Sequence, residues 1–251
     1  MPFEVADTDL GRLRDTDLVG PWKADSATGG HRDLTEVHPQ IFVGPVFTPQ
    51  WCERVRREVE RYRAWSRAGG AALSAPNTMH RGGVLLSQLG MQDALASLMR
   101  VQVQDFADAH LAEHLDGPLV DCHAYVVTYE VGREGDLGFH VDASQITLNL
   151  CLGEASFEGA ELYFQGPRCA MHVDSPSRKD EAFVWTHQPG VALLHAGKNR
   201  HGVRPIRRGR RMSLIAWFRD ETGRQRWEHE GSNRHCPDWC GESEASLNRR
   251  G

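Results

Sequence analysis

A mainly β protein, an antiparallel sandwich or barrel with supporting helices, is the fold class this sequence predicts. Three observations carry the expectation. From Pro118 onward, short apolar or alternating runs follow one another at 119–129, 144–152, 159–164, 182–186, 190–195 and 211–219, separated by Gly, Pro, Asp and Ser turns. That rhythm belongs to all-β sandwiches and barrels. Ahead of it lie two longer stretches with helical signals. The chain of 251 residues, 40% hydrophobic and 25% charged, has the composition of a globular protein with one sizeable core.

The elements follow in order. Residues 1–38 are polar and turn-rich and read as an N-terminal extension; Asp-Thr-Asp-Leu occurs at 7–10 and again at 15–18, too short an echo to signal a repeat architecture. Ile41 to Phe47 reads as a strand. Thr48 and Pro49 then supply an N-cap and a first-turn proline, so a helix is expected over 48–65. A Gly-, Ala- and Ser-rich loop spans 67–76, and a second long helix is expected over 92–114. The expected division is an extension at 1–38, a domain at 39–220 with helical support at 48–114 and a β core at 118–220, and a charged, aperiodic tail at 221–251.

Charge and composition exclude several classes. A formal net charge of -5 argues against nucleic-acid and anionic-membrane partners, both of which draw on a basic face. No apolar run approaches the roughly 20 residues of a membrane helix. The first ten residues are acidic, whereas a secretory leader is basic and then apolar, so a cytoplasmic location is expected. Cys52, Cys122, Cys151, Cys169, Cys236 and Cys240 are scattered, which favours reduced, mostly buried thiols over a disulfide framework.

The chemistry is concentrated in residues 129–152, YEVGREGDLGFHVDASQITLNLCL. His140 and Asp142 are two apart, so on an extended segment they share one face. His201, which opens a turn before the last strand-like run, offers a third ligand. Two histidines and a carboxylate bound facially are the ligand set of oxygen-activating iron(II), with three octahedral positions left open; zinc accepts the same donors. Arg211 discriminates. Ten residues after His201, it presents a planar, permanently charged fork suited to the far carboxylate of a dicarboxylic keto-acid. Iron with 2-oxoglutarate accounts for both features. His195 is a weaker candidate ligand and reads as a core histidine, and Arg210 is the fallback for Arg211. Met79, His80 and Arg81 could reach the pocket mouth as substrate-binding groups; a plain loop is the alternative. His235, Cys236 and Cys240 lack the fourth ligand of a structural zinc site.

Taken as an ordered set, these motifs resemble the prolyl and lysyl hydroxylase branch of the iron(II)/2-oxoglutarate dioxygenases, and most closely the 2-oxoglutarate and iron-dependent oxygenase domain-containing proteins. The similarity runs over about residues 40–220. It rests on the turn from Tyr129 to Gly132, His140-Val141-Asp142, Thr147-Leu148-Asn149, GAELYF at 159–164, Pro189-Gly190 to His195, His201-Gly202, Pro205, Gly209, Arg211 and Trp217. The resemblance implies a double-stranded β-helix, the cupin-like jelly roll, with iron(II) at its open end. It implies that Tyr129 donates a hydrogen bond to 2-oxoglutarate and that Thr147, Asn149 and Cys151 alternate into the pocket, although many relatives carry a larger residue in place of Cys151.

The implied chemistry is oxidative decarboxylation of 2-oxoglutarate to succinate and carbon dioxide with hydroxylation of an unactivated C–H bond, using dioxygen and, as a family expectation, ascorbate as reductant. Asp142 argues against halogenation, since the family's halogenating members lack that carboxylate. The expected substrate is an amino acid, an amino-acid-derived metabolite or a peptidyl residue. With no peptide-binding domain evident in the chain, a small molecule is favoured. Two alternatives share these motifs: the same cofactor chemistry applied to desaturation, cyclisation or demethylation, and a catalytically silent metal-binding jelly roll. Retention of the co-substrate arginine counts against the silent module.

Overall fold

The computed structural model describes residues 2–18, 34–80, 82–133, 135–153, 156–169 and 172–228. The β-strands are β1 (Thr35–His38), β2 (Ile41–Pro45), β3 (Val84–Leu85), β4 (Leu119–Glu130), β5 (Leu137–His140), β6 (Ile146–Cys151), β7 (Phe157–Gly159), β8 (Leu162–Pro167), β9 (Ala182–Trp185), β10 (Val191–Ala196), β11 (Asn199–Val203) and β12 (Ile206–Asp220). Four α-helices accompany them: α1 (Pro49–Arg67), α2 (Gln92–Leu98), α3 (Gln104–His110) and α4 (Glu221–Glu228).

The strands form two sheets. The larger runs β1-β2-β10-β6-β12-β4-β3, with β7 also paired to β12, and the smaller runs β5-β11-β8-β9. The strand pairs are antiparallel, and the two sheets enclose one cavity in the double-stranded β-helix that the resemblance implies.

Side-chain alternation in the large sheet explains the two cores. On β6 and β12, Ile146, Leu148, Leu150, Met212, Leu214, Ala216 and Phe218 face the helical layer. Their neighbours Ile215 and Trp217 face the inner core instead, with Tyr125, Tyr129, Leu162, Phe164 and Val203. Every residue of β6 is buried. Thr147, Asn149 and Cys151 therefore fall on the inner face, where polar atoms can meet a ligand.

Helix α1 forms as its sequence dictates. The Thr48 hydroxyl accepts from the Trp51 amide at 3.2 Å, Pro49 opens the first turn, and Trp51, Val55, Val59 and Tyr62 bury one stripe. The single helix expected over 92–114 is instead α2 and α3 joined by a π-helical turn, Met99–Val103, with a short 3-10 turn at Ala112–His114. Met99, Gln102 and Val103 stay buried through the wide turn, so the same face remains against the sheet.

Segment 2–18, assigned to an extension by its polarity, is packed on α1. Leu10 is buried in the core, Arg54 pairs with Asp7 at 2.6 Å and with Asp17 at 3.2 Å, and Leu18 bridges to Phe47. The start of the tail, expected to be aperiodic, forms α4. His235, Cys236 and Cys240 lie outside the described residues. Cys52, Cys122, Cys151 and Cys169 form no disulfide, and no helix among the described residues is long and apolar enough to cross a membrane.

One buried ion network ties the loop between β8 and β9 to β11. Arg168 holds Glu181 through two contacts at 2.9 and 3.1 Å, the Arg178 amide donates to the same carboxylate at 2.7 Å, and fully buried Arg200 lies 3.8 Å from it. Arg200 also donates to the carbonyls of Gln165, Gly166, Val173 and Ser175, fixing the strand that carries His201. Glu181→Gln would strand two buried guanidinium groups without their carboxylate. The expected loss is about 3–5 kcal/mol, read as a fall of roughly 6–20 °C in Tm. An unchanged melting curve would show that the network contributes nothing to stability.

Candidate metal and co-substrate site

His140 ends β5, and its register partner across the antiparallel pair is His201 in the middle of β11. The expectation that His201 opens a turn is thus corrected: it is a strand residue, aligned by pairing with both β5 and β8. Asp142 lies just beyond β5, where its amide donates to the Gly197 carbonyl at 2.9 Å. His140 Nε2 is 3.3 Å from Asp142 Oδ1, and His201 Nε2 is 3.6 Å from Oδ2. These three are the one group of potential metal donors found among the described residues, with all donor atoms within 4.8 Å of one another. Facial donors at about 2.1 Å from an octahedral metal lie about 3 Å apart, so little movement separates this arrangement from a bound one.

The backbone sets the tautomers. His140 Nδ1 is 2.7 Å from the Gly138 carbonyl and His201 Nδ1 is 2.8 Å from that of Asn199. Each Nδ1–H donates to a carbonyl, leaving each Nε2 lone pair for a metal. Burial alone would raise the Asp142 carboxyl, but the adjacent His201 and His140 override it and hold the group well below the usual carboxylate range. Burial likewise pushes His201 down to about 3. Burial lowers His140, but its hydrogen bond to Asp142 raises it above its ordinary value. The carboxylate and His201 thus already stand in the protonation state that metal binding requires, while His140 gives up any proton on Nε2 when the metal binds. His195 packs edge-on behind His201, ring centroids 4.8 Å apart, and its Nδ1 donates to the Ala196 carbonyl at 2.8 Å.

Thr147 alternates into the pocket and also meets a metal donor. Its hydroxyl donates to Asp142 Oδ2 at 2.7 Å, and Ser144 Oγ stands 2.8 Å behind it. The pair orients the carboxylate. Thr147→Val is expected to weaken metal binding about 10–100-fold and Thr147→Ser to restore it, measured by titrating Mn(II) into the metal-free protein. Equal affinities for valine and threonine would remove Thr147 from this role.

The cavity is walled by His80, Tyr129, Asn149, Leu162, Val203 and Ile215 along with the three donors. Arg211, the register partner of Tyr129 on β12, is fully buried. Its guanidinium lies over the Tyr129 ring at 4.6 Å, and Nη1 donates to the Ala160 carbonyl at 2.6 Å. Nε and Nη2 have no hydrogen-bond partner. Burial pushes its pKa below the usual arginine value, yet a guanidinium remains protonated there.

Ser213, two residues on, shares the inner face opposite Cys151, and its fully buried Oγ is also unpartnered. Sequence reading missed Ser213, although strand alternation from Arg211 was the signal that could have found it. Asn149 Oδ1 is buried without a partner as well. Buried polar atoms rarely remain unsatisfied in a native protein, and the Arg211 and Ser213 donors meet the requirements of an anion. Arg210 pairs on the outside with Glu60 at 2.8 Å. Among the residues considered for the pocket mouth, His80 is buried in the wall, Met79 is 38% exposed, and Arg81 lies outside the described residues.

Fold and donor set together are those of the iron(II)- and 2-oxoglutarate-dependent oxygenases. Within that class, the chain is similar to the 2-oxoglutarate and iron-dependent oxygenase domain-containing proteins. It is 37% identical over 233 residues to such a protein of Arabidopsis thaliana, covering 93% of this chain and 58% of the relative. It is 34% identical over 202 residues to 2-oxoglutarate and iron-dependent oxygenase domain-containing protein 2 of Mus musculus, covering 80% of this chain and 53% of the relative. The chain thus spans little more than half the length of these curated relatives.

A family model described as an OGFOD2-like domain matches residues 16–114, the part that precedes the donor-bearing strands. Among solved structures, a Pseudomonas putida prolyl-4-hydroxylase superposes with a TM-score of 0.52 at 18% identity, covering 74% of this chain and 94% of that one. That likeness concerns the fold.

Proposed function

We propose that the protein is a dioxygenase that uses iron(II) and 2-oxoglutarate to hydroxylate an unactivated C–H bond of an amino acid, an amino-acid-derived metabolite or a peptidyl residue, releasing succinate and carbon dioxide. The observation that carries this reading is the fully buried Arg211, with Nε and Nη2 unsatisfied and no carboxylate at ion-pair distance among the described residues, on the inner face of the large sheet while the histidine donors stand on the small one. A purely structural arginine would keep its counterion, as Arg168 keeps Glu181. An arginine that receives its carboxylate from a ligand has none of its own.

The residues divide the work. His140, Asp142 and His201 would hold the metal, with Thr147 orienting the carboxylate. Arg211 and Ser213 would hold the distal carboxylate of 2-oxoglutarate, while Tyr129, Asn149 and Cys151 border the co-substrate. Bound iron and 2-oxoglutarate supply the activation of dioxygen, and ascorbate is the proposed reductant. Leu137, Leu162, Val203 and Ile215 give the cavity apolar walls that exclude water.

On the substrate side, Asn77 organises the backbone of residues 77–80. Its Oδ1 accepts from the amides of Met79 and His80 at 2.9 and 2.7 Å, and its Nδ2 donates to the Tyr125 hydroxyl at 2.9 Å. This seats the His80 ring 6.0 Å from that of Tyr129. His80 and its neighbours Met79 and Arg81 are the proposed substrate-binding group.

The choice among substrates is tested by incubating iron-loaded protein with 2-oxoglutarate and panels of free amino acids and short peptides, reading succinate and product mass. Substrate-dependent succinate accompanied by the gain of one oxygen atom is the expected result. A product that has lost two hydrogens would replace hydroxylation with desaturation. Succinate that no compound raises above the substrate-free level would count against these substrate classes.

A further inference from the structure

The turn between β9 and β10 carries His187, a side chain that the metal site does not use. It is 3% exposed, and neither ring nitrogen has a hydrogen-bond partner. Its position is fixed from two sides. The Gly190 amide donates to the Cys151 carbonyl at 2.8 Å, which holds the turn at the end of β6 farthest from Thr147. His187 also borders, with Gly159 and Glu161, one cleft of about 380 Å³. The residue between those two, Ala160, is the one whose carbonyl receives Arg211 Nη1. The turn therefore lies at the end of β6 where Cys151 is the register partner of Ser213, and the charge of Arg211 acts on the imidazole.

Burial holds His187 well below its ordinary pKa, and the nearby positive charge of Arg211 pushes it further the same way. The ring is neutral at physiological pH. A neutral imidazole carries one N–H donor and one acceptor nitrogen. If packing were its whole purpose, leucine or phenylalanine would fill the position without burying unsatisfied polar atoms. On the neighbouring stretch of β12, Arg211 Nε and Nη2 and Ser213 Oγ are also buried and unsatisfied. Buried donors gathered without partners are the arrangement that receives an anion.

We propose that His187 is a further binding residue for the co-substrate, donating one ring N–H to the distal carboxylate that Arg211 holds. The proposal rests on the 2-oxoglutarate reading of the cavity. Its consequence is selectivity: His187 contributes to binding a keto-acid that ends in a carboxylate and nothing to binding one that ends in a methyl group.

The test titrates 2-oxoglutarate and 2-oxopentanoate, which differ only at that terminus, calorimetrically into Mn(II)-loaded protein. Wild type, His187→Leu, His187→Phe and His187→Gln are compared. Leu and Phe are expected to weaken 2-oxoglutarate about 10–100-fold, the worth of one hydrogen bond to a charged group, and to leave 2-oxopentanoate unchanged. Gln, which keeps a donor, is expected to stay closer to wild type. Two apolar replacements of different shape keep the test available if one fails to fold. If the ratio of the two affinities is the same in wild type and both apolar variants, His187 is a packing residue and the proposal falls alone. If wild type itself does not prefer 2-oxoglutarate, the co-substrate reading falls and takes this one with it.

Discussion

Arg211→Met is expected to stabilise the protein while destroying its affinity for 2-oxoglutarate. Without a ligand, Arg211 is a charge with no exposed surface and no carboxylate at ion-pair distance among the described residues, its contacts being the Ala160 carbonyl and the face of Tyr129. Replacing a buried charged group with an apolar side chain of similar volume is often stabilising, and about 1–2 kcal/mol is expected here. That corresponds to a rise of roughly 2–8 °C in Tm. Removing one member of a buried charge pair, which is what the variant does to the complex, costs about 2–5 kcal/mol, or roughly 30-fold to several thousand-fold in affinity. Thermal unfolding with and without 2-oxoglutarate measures both. A variant that melts lower than wild type yet is still stabilised by 2-oxoglutarate would make Arg211 a structural residue.

Asp142→Ala is the second large effect. The carboxylate is the one anionic donor of the group, and each of its oxygens faces an imidazole Nε2. Its loss should weaken metal binding by more than the ~10–100-fold expected for outer partners such as Thr147, and should bring turnover to background. Asp142→Asn keeps the shape but not the charge and is expected to bind metal poorly too. Titration of Mn(II) into the three metal-free proteins checks this. Metal binding by the alanine variant at wild-type affinity would mean that the ion sits elsewhere.

How much of this was legible in the sequence depends on the length scale of each signal. His140 and Asp142 are neighbours in the chain, so their shared face could be argued from strand alternation. The third donor could be named from its motif but not placed, because the register of His201 on His140 is a pairing between segments 61 residues apart. Strands β5 and β11 escaped the apolar-run pattern because they are short and built around histidine, glycine and asparagine. By contrast, β4, β6 and β12, long and buried, were evident.

The π-helical turn left no mark in the periodicity, since the apolar face runs on through it. The docking of residues 2–18 depends on Arg54 meeting Asp7 and Asp17, charges that composition alone reads as solvated. Arg211 was recognised, while Ser213 and His187 were not. Their significance lies in buried polar atoms without partners, which only the folded chain reveals.

The substrate expectation also changes weight. A chain without a peptide-binding domain favoured a small molecule, but this chain spans 58% and 53% of two curated relatives. Free and peptidyl substrates therefore stand on equal terms.

The most direct measurement adds iron(II) and then 2-oxoglutarate to the metal-free protein under anaerobic conditions, following the visible charge-transfer band of the bidentate complex. His140→Ala and Arg211→Ala serve as comparisons. The account predicts a band in wild type, none in His140→Ala, and a band in Arg211→Ala that saturates only at much higher 2-oxoglutarate. No band in metal-loaded wild type would contradict it and favour a metal-binding jelly roll without oxygenase chemistry.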